Sequence, residues 1–354
     1  MASVCLELRS RGHHIEVGAD TRREGDIQER MGALGLPVRP DLALTTKGGP
    51  ATFLADLFRL RRLCSEFDVL AANFSNDHAL ALLAAAGRGH CRVVRTVHSS
   101  RSLEDRGLQG TLHRRTDGLV AVCEAHARVL REVFRVPAER VAAVRGAVDS
   151  AFFSPEGPDL RAELGIAPDA PVVGIVSRVK PDRRHADLLA AFRSVALRMP
   201  EARLVVVGRG EGLEAVRSRA TGLGITNRVV FAGYRRGAEL AAAYRTLDAK
   251  VLLAEGNDAT CRALLEAMAC GRPGIAYRFG APAESILDGA TGRLVPEGDV
   301  GALAAAIVEL LGDRGRARIW GARARERMQV LYTAKARGAA VEDLFLRVQR
   351  LPRP

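Results

Sequence analysis

Short apolar runs alternate with helix-period stretches along this chain, and that alternation restricts its possible folds more than any other feature. In the second half the runs fall at residues 172–176, 204–207, 229–231, 250–253 and 274–277. Amphipathic stretches at 187–197, 212–223 and 238–246 separate them, and another begins near residue 260. The first half repeats the scheme, with runs at 69–73, 91–97 and 119–122 and helical stretches at 77–86 and 125–133. Strands linked by helical crossovers form parallel sheets with right-handed connections. Phe153-Ser154-Pro155-Glu156-Gly157-Pro158 is rich in turn formers and marks a linker. The expectation is an α/β chain of two Rossmann-like, doubly wound domains facing each other across a cleft. Ligand should sit at the carboxyl ends of the strands.

Composition narrows the function classes. The 354 residues suffice for two ordinary domains. With 47% hydrophobic and 27% charged residues the chain reads as soluble and globular. No apolar run reaches the ~18 residues of a membrane span. The start, Met1-Ala2-Ser3-Val4-Cys5-Leu6-Glu7, lacks the basic end and apolar core of a signal peptide. The six cysteines include no C-x-x-C pair, so neither a disulfide framework nor a zinc site is indicated. A reducing cytoplasm fits. The net charge of +12 rests on arginine, because Lys47, Lys180, Lys250 and Lys335 are the only lysines. Such a chain can meet nucleic acid or an anionic membrane face. The arginines are spread, however, and aromatics make up only 5% of the chain, too few for base stacking. We expect no nucleic-acid partner. The bias suits an enzyme that handles anionic donors beside an anionic membrane such as the inner face of the plasma membrane.

The segment Asp258-Ala259-Thr260-Cys261-Arg262-Ala263-Leu264-Leu265-Glu266-Ala267-Met268-Ala269-Cys270-Gly271-Arg272-Pro273 carries most of the functional signal. Thr260 reads as an N-cap, and Leu264, Leu265, Met268 and Ala269 recur at helical spacing. The free N–H groups of a helix start make a ready anion site, here bracketed by the carboxylates Asp258 and Glu266. That combination suits a sugar joined to a diphosphate. A plain amphipathic helix, with Glu266 in an i, i+4 pair with Arg262, is the alternative; such a surface pair contributes only ~0.3 kcal/mol.

The spacing of an acid, seven residues, then Glu-Ala-Met-Ala-x-Gly-x-Pro resembles the signature of glycosyltransferase family 4, retaining nucleotide-sugar enzymes of GT-B fold. The likeness extends over nearly the whole chain. Val173-Gly174-Ile175-Val176-Ser177-Arg178 resembles the strand leading to the donor-binding arginine. Arg183 stands where the family usually has lysine, and Arg184 replaces a usual glycine. Val206-Val207-Gly208-Arg209-Gly210-Glu211 resembles the glycine turn, and Val229-Val230-Phe231-Ala232-Gly233-Tyr234 the strand beside the nucleobase. Gly280-Ala281-Pro282-Ala283-Glu284 and Asp288-Gly289-Ala290-Thr291-Gly292 resemble loops that close the donor pocket. Arg95-Thr96-Val97-His98 and Val144-Arg145-Gly146-Ala147-Val148-Asp149 resemble the histidine strand and the end of the first domain.

The resemblance implies domains at 1–153 (acceptor side) and 154–330 (donor side), with a helix at 331–354 returning to the first. It implies a hexosyltransferase that moves a sugar from a nucleotide-diphosphate donor to a glycan or lipid-linked acceptor in polysaccharide or lipopolysaccharide synthesis. Arg178 and Arg183 would face the diphosphate, where fixed guanidinium donors stabilise the leaving group. Glu266 would accept from the ribose hydroxyls. Asp258, in place of the usual glutamate, would hold the sugar over the N–H groups of Ala259, Thr260 and Cys261. Gly208 and Tyr234 would line the nucleotide, and His98 would contact the sugar. No cofactor and no metal are expected: no Asp-x-Asp motif is present, and the remaining histidines lack ligand spacing. Gly208-Arg209-Gly210 is a weak dinucleotide signal, with no acid ending the strand at 229–231. Rival readings are a sugar-nucleotide epimerase and a binding-only paralogue.

One departure concerns the start. Family members usually open with a strand, a Gly-Gly loop and a helix ending in Arg-Gly-His. Here residues 3–11 already resemble that helix, and 12–17 its turn and the second strand. A late start codon or a fragment would explain this. Strand edges left unpaired and poor sugar transfer despite nucleotide binding through 154–330 are the expected consequences.

Overall fold

The computed structural model describes residues 2–20, 27–44, 49–104, 107–255 and 258–354; at 258–260 it describes the backbone alone. The chain divides into two compact units, Met1–Arg145 with Ala334–Pro354, and Gly146–Thr333.

The first unit runs α1 (Ala2–Ser10), β1 (Val17–Gly18), α2 (Ile27–Ala33), β2 (Val38–Arg39), α3 (Pro50–Leu63), β3 (Val69–Ala72), α4 (Ser75–Ala85), β4 (Arg92–Val97), α5 (Leu108–Arg114), β5 (Gly118–Ala121), α6 (Glu124–Glu132) and β6 (Val141–Ala143). Strands β3-β4-β5-β6 form a parallel sheet in sequence order, and β1 pairs with β2 in a separate parallel ladder. Among the described residues no ladder joins the two, so β1 and β3 each keep an edge without a partner. Successive residues of a strand face opposite sides. Val94 therefore packs with Val4 and Leu8 of α1, whereas Val93 packs with Leu60 and Leu63 of α3 and Leu80 of α4.

The second unit runs β7 (Val172–Val176), α7 (His185–Arg198), β8 (Arg203–Val207), α8 (Leu213–Gly222), β9 (Val229–Gly233), α9 (Gly237–Thr246), β10 (Ala249–Leu252), α10 (Asp258–Ala269), β11 (Gly274–Tyr277), α11 (Gly280–Ser285), β12 (Gly292–Val295), α12 (Val300–Gly312) and α13 (Arg314–Leu331). The closing α14 (Ala334–Arg350) belongs to the first unit, where Val341, Leu344 and Val348 pack on Val94 and Val120. The six strands are all parallel in the order β12-β11-β10-β7-β8-β9. Helices cover both faces: Val173, Ile175, Val251 and Ile275 meet α7 and α12, while Leu252 and Ala276 meet α10 and α13. Two Rossmann-like units of parallel sheet and helix are thus present. The strand order reverses between β7 and β10, and such a switch point leaves a crevice at the carboxyl ends of the two strands.

Two local readings need correction. Helix α10 opens at Asp258, so Thr260 stands inside the first turn and is not its cap. Asp288-Gly289-Ala290-Thr291-Gly292 does not lie at the carboxyl edge of the sheet. Gly292 opens β12 in register with Gly274, the first residue of β11. A parallel crossover must return to the amino edge before the next strand starts, and this turn completes that return. Asp288 ties it down, with Oδ1 accepting from Leu294 N at 3.1 Å and Oδ2 from Arg278 at 2.6 Å.

Candidate donor site in the second unit

Parallel pairing carries the ends of β7, β8, β9, β10 and β11 to one edge of the sheet, and with them most of the residues singled out from sequence. Arg178 stands two residues beyond β7, beside the switch point. It is exposed and makes no side-chain hydrogen bond with any described residue. Its cationic neighbours are neutralised by protein carboxylates. Lys180 pairs with Glu211 at 3.0 Å, and Arg184 with Glu297 at 2.5 Å. Arg183 is different. Its side chain is 13% exposed, its only ion-pair partner among the described residues is its neighbour Asp182 at 3.7 Å, and its Nε is buried without an acceptor. A buried donor left unpaired is costly; an anion would relieve it. Arg184 adopts the left-handed conformation, φ 58°, where the family usually has glycine, so the substitution keeps the turn.

The glycine turn is built against this strand end. Gly208 has φ 143°, and a Cβ there would lie 1.9 Å from the carbonyl oxygen of Ser177. A Cβ on Gly210 would lie 2.2 Å from that of Val179. Val179 N donates to Arg209 O, and Gly212 N to Val179 O. The turn after β8 thus lies directly on the backbone that presents Arg178. On the other side of the switch point, Gly280 at the start of α11 packs the same way on Glu255, its absent Cβ 2.3 Å from that residue's carbonyl oxygen.

Backbone N–H groups at the start of a helix have no partner within it, and those of Asp258, Ala259 and Thr260 stand in the first turn of α10. The side chains of Asp258, Ala259 and Thr260 lie outside the described residues; that of Cys261 is buried. Two turns on, Glu266 is buried rather than on a surface face, and no ion pair joins it to exposed Arg262. Its Oε2 accepts from the Tyr244 hydroxyl at 2.7 Å. Its Oε1 accepts from no described group. Burial pushes the carboxyl up from its ordinary range, against the Tyr244 hydrogen bond and the charges of Arg262 and Lys250.

Tyr234 follows β9 and is 56% exposed, with the Arg209 guanidinium 4.5 Å from its ring centroid. His98 belongs to the other unit. It follows β4, and its Nε2 lies 3.3 Å from Asn73 Oδ1, just beyond β3. Among the described residues no group of three or more His, Cys, Asp or Glu could hold a metal ion.

Sequence reasoning passed over three buried polar groups here. Lys250 of β10 is fully buried, its Nζ donating to Val251 O at 2.6 Å. His185, buried at the start of α7, is pushed down to about 4 by burial and by Lys250, and its Nε2 lies 3.4 Å from Ser177 Oγ. Tyr244 is the third. A lysine inside an apolar strand run was a legible signal, but only its neighbours in space reveal its partners.

Known proteins share the family pattern and this architecture. The family described as "Glycosyl transferases group 1" matches residues 157–327, and "Glycosyltransferase Family 4" matches 1–152. A GDP-mannose-dependent alpha-(1-6)-phosphatidylinositol monomannoside mannosyltransferase of Mycolicibacterium smegmatis is 31% identical over 303 residues, covering 81% of this chain and 79% of its own. The N-acetyl-alpha-D-glucosaminyl L-malate synthase of Bacillus anthracis is 28% identical over 320 residues, covering 88% and 80%. In structure, Anabaena HepE in complex with UDP and glucose superposes with a TM-score of 0.79 at 21% identity, covering 96% of this chain and 94% of that one. With both halves matched in order and a relative of this identity along most of its length, the chain belongs to glycosyltransferase family 4 and is a glycosyltransferase of GT-B fold.

Proposed function

We propose that the protein transfers a hexose, with retention at the anomeric carbon, from a nucleotide-diphosphate sugar to a glycan or lipid-linked acceptor of the cell envelope. One observation carries the reading: beside the switch point of a parallel sheet, Arg178 is exposed with no side-chain hydrogen bond to any described residue, and Arg183 keeps a buried Nε without an acceptor. Two guanidinium groups there match a diphosphate, stabilise it as it leaves, and take the part a cation would otherwise play. Glu266 Oε1 takes the ribose hydroxyls. The first turn of α10 and Asp258 take the sugar, Gly208 and Tyr234 line the nucleotide, and His98 contacts the sugar. Residues 154–330 form the donor domain, 1–153 the acceptor side, and 331–354 the returning helix.

The relatives' names favour GDP-mannose, and HepE's complex favours a uridine nucleotide. Polysaccharide or lipopolysaccharide synthesis is the proposed setting, supported by the phosphatidylinositol mannoside enzyme and by the fold likeness to the outer-core galactosyltransferase WaaB. Peripheral contact with an anionic membrane is supported by α3, which exposes Phe53, Leu54 and Phe58 beside Arg59 and Arg62. No helix among the described residues is long and apolar enough to cross a membrane.

Calorimetric titration with GDP and UDP tests the donor site. Glu266→Ala should weaken the better ligand by about 1.5–3 kcal/mol, and an unchanged affinity would remove Glu266 from the site. Radiolabelled transfer to membrane extract should survive a chelator; loss restored by manganese would refute metal independence. Epimerised sugar from donor alone would favour an epimerase.

A further inference from the structure

The polar groups behind Glu266 form a built arrangement. Lys250 stands in register with Gly174 of β7 on one side and Gly274 of β11 on the other. A Cβ on Gly274 would meet Leu264 of α10 at 2.8 Å, so this is the face of the sheet on which α10 packs. The two glycines leave room for a long side chain between sheet and helix. Lys250 has three N–H donors, of which one is used, on Val251 O. Tyr244 reaches Glu266 from α9 and is fully buried, so its hydroxyl has little freedom to turn away.

We infer that Tyr244 and Lys250 are positioning residues for the donor: Tyr244 fixes Oε2 of Glu266 so that Oε1 is left to the ligand, and Lys250, buried on the face of the sheet that α10 covers, favours the charged form of that carboxylate. The inference rests on the proposed ribose role of Glu266. A neutral carboxyl would lose the acceptor strength that paired hydroxyls need, and an isolated buried carboxylate tends to take up a proton. The groups that bear electrostatically on this pair are Tyr244 from α9, Arg262 from α10, Cys270 just beyond its end, and His185 from the start of α7. Burial pushes Lys250 itself down to about 7, opposed by Glu266, so its charge is lost as the pH rises above neutrality.

The test is GDP and UDP titration of the full chain and its variants between pH 6 and pH 8. Tyr244→Phe should bind the better nucleotide about tenfold more weakly. The Tyr244→Phe/Glu266→Ala double variant should bind no worse than Glu266→Ala. Lys250→Met should bind the better nucleotide more weakly, and the loss should shrink as the pH rises from 6 to 8 and deprotonation of Glu266 is favoured. Lys250→Gln stands in should the methionine variant fail to fold. Wild-type affinity in both single variants overturns the inference, as does a Tyr244→Phe loss that persists in full without Glu266. An unaffected Glu266→Ala sinks the ribose reading itself; an impaired Glu266→Ala beside an unaffected Tyr244→Phe sinks only the positioning role.

Discussion

Strands β3 and β10 have similar apolar sequences, Val-Leu-Ala-Ala and Ala-Lys-Val-Leu, but different surroundings. β10 is buried at every residue, its lysine included, whereas β3 is buried only at Ala72. The difference is pairing. β10 has ladders to β7 and β11; β3 has one, to β4, and the β1–β2 pair forms apart. A parallel strand covered on both edges and both faces is rigid, and the second unit presents its candidate site from such strands. The first unit has a shorter continuous sheet and more exposed strand edge. Preorganised donors are effective only where the frame holds them, so the contrast favours the proposed placing of donor chemistry in the second unit.

The strongest way to break this comparison is Arg178→Ala. The side chain is exposed and unbonded, so melting should be unchanged while turnover falls by about 10²–10³-fold. Steady-state transfer with matched thermal melts decides it. Activity near wild type would place the diphosphate elsewhere.

Gly208→Ala attacks the frame rather than the ligand. The new Cβ would meet Ser177 O at a positive φ, with an expected cost of about 1–3 kcal/mol. Trp320, the only tryptophan, lies in α13 of the second unit. Its fluorescence should report a melting point several degrees lower, together with weaker nucleotide binding. Gly87→Ala in the first unit, also at positive φ but with open space around it, should cost less and leave binding alone.

Acid should separate the units more gently. Burial pushes His78 down to about 3 and His113 to about 4 in the first unit, against His185 at about 4 in the second. The fold holds these rings neutral, while the unfolded chain takes up their protons near ~6.5. Below that the unfolded state binds more protons, so stability falls as pH drops from about 6.5 toward 4 and levels off below. Melts followed by far-UV circular dichroism, which sees both units, should move further than those followed by Trp320 fluorescence. Equal movement would mean that His78 and His113 have other compensation.

The smallest effect expected is in hydrogen exchange. Amides of β1 and β3 should exchange at least about tenfold faster than those of β7 and β10, because edge ladders open locally at lower cost. Equal protection would show that the first unit is as tightly held as the second.

Much of the second unit was legible in the chain. The runs at 172–176 and 274–277 are β7 and β11 to the residue, and the others fall within two residues of their strands. Continuous Val, Ile and Leu in a doubly covered strand leave little ambiguity. Helices α2, α3, α5, α12 and α13 were not anticipated, and the loop expected at 280–284 is helix α11. α12 is apolar almost throughout and α13 carries few apolar residues, so neither shows a clear stripe. Of the site, the order of Arg178, Gly208, Tyr234 and Glu266 along the chain was legible, because each follows or closes a recognisable element.

By itself the sequence determined the parallel sheets, the succession of elements and the Asp258–Pro273 motif, because these depend on periodicity and short-range spacing. The tertiary structure decided that the Arg183 Nε is buried without an acceptor, that Glu266 is held by Tyr244 twenty-two residues away, and that Lys250 lies buried between two glycines. Those facts depend on strand order and on which side chains crossovers bring together. No local pattern encodes them, since a residue's partners across a sheet are chosen by the whole packed core.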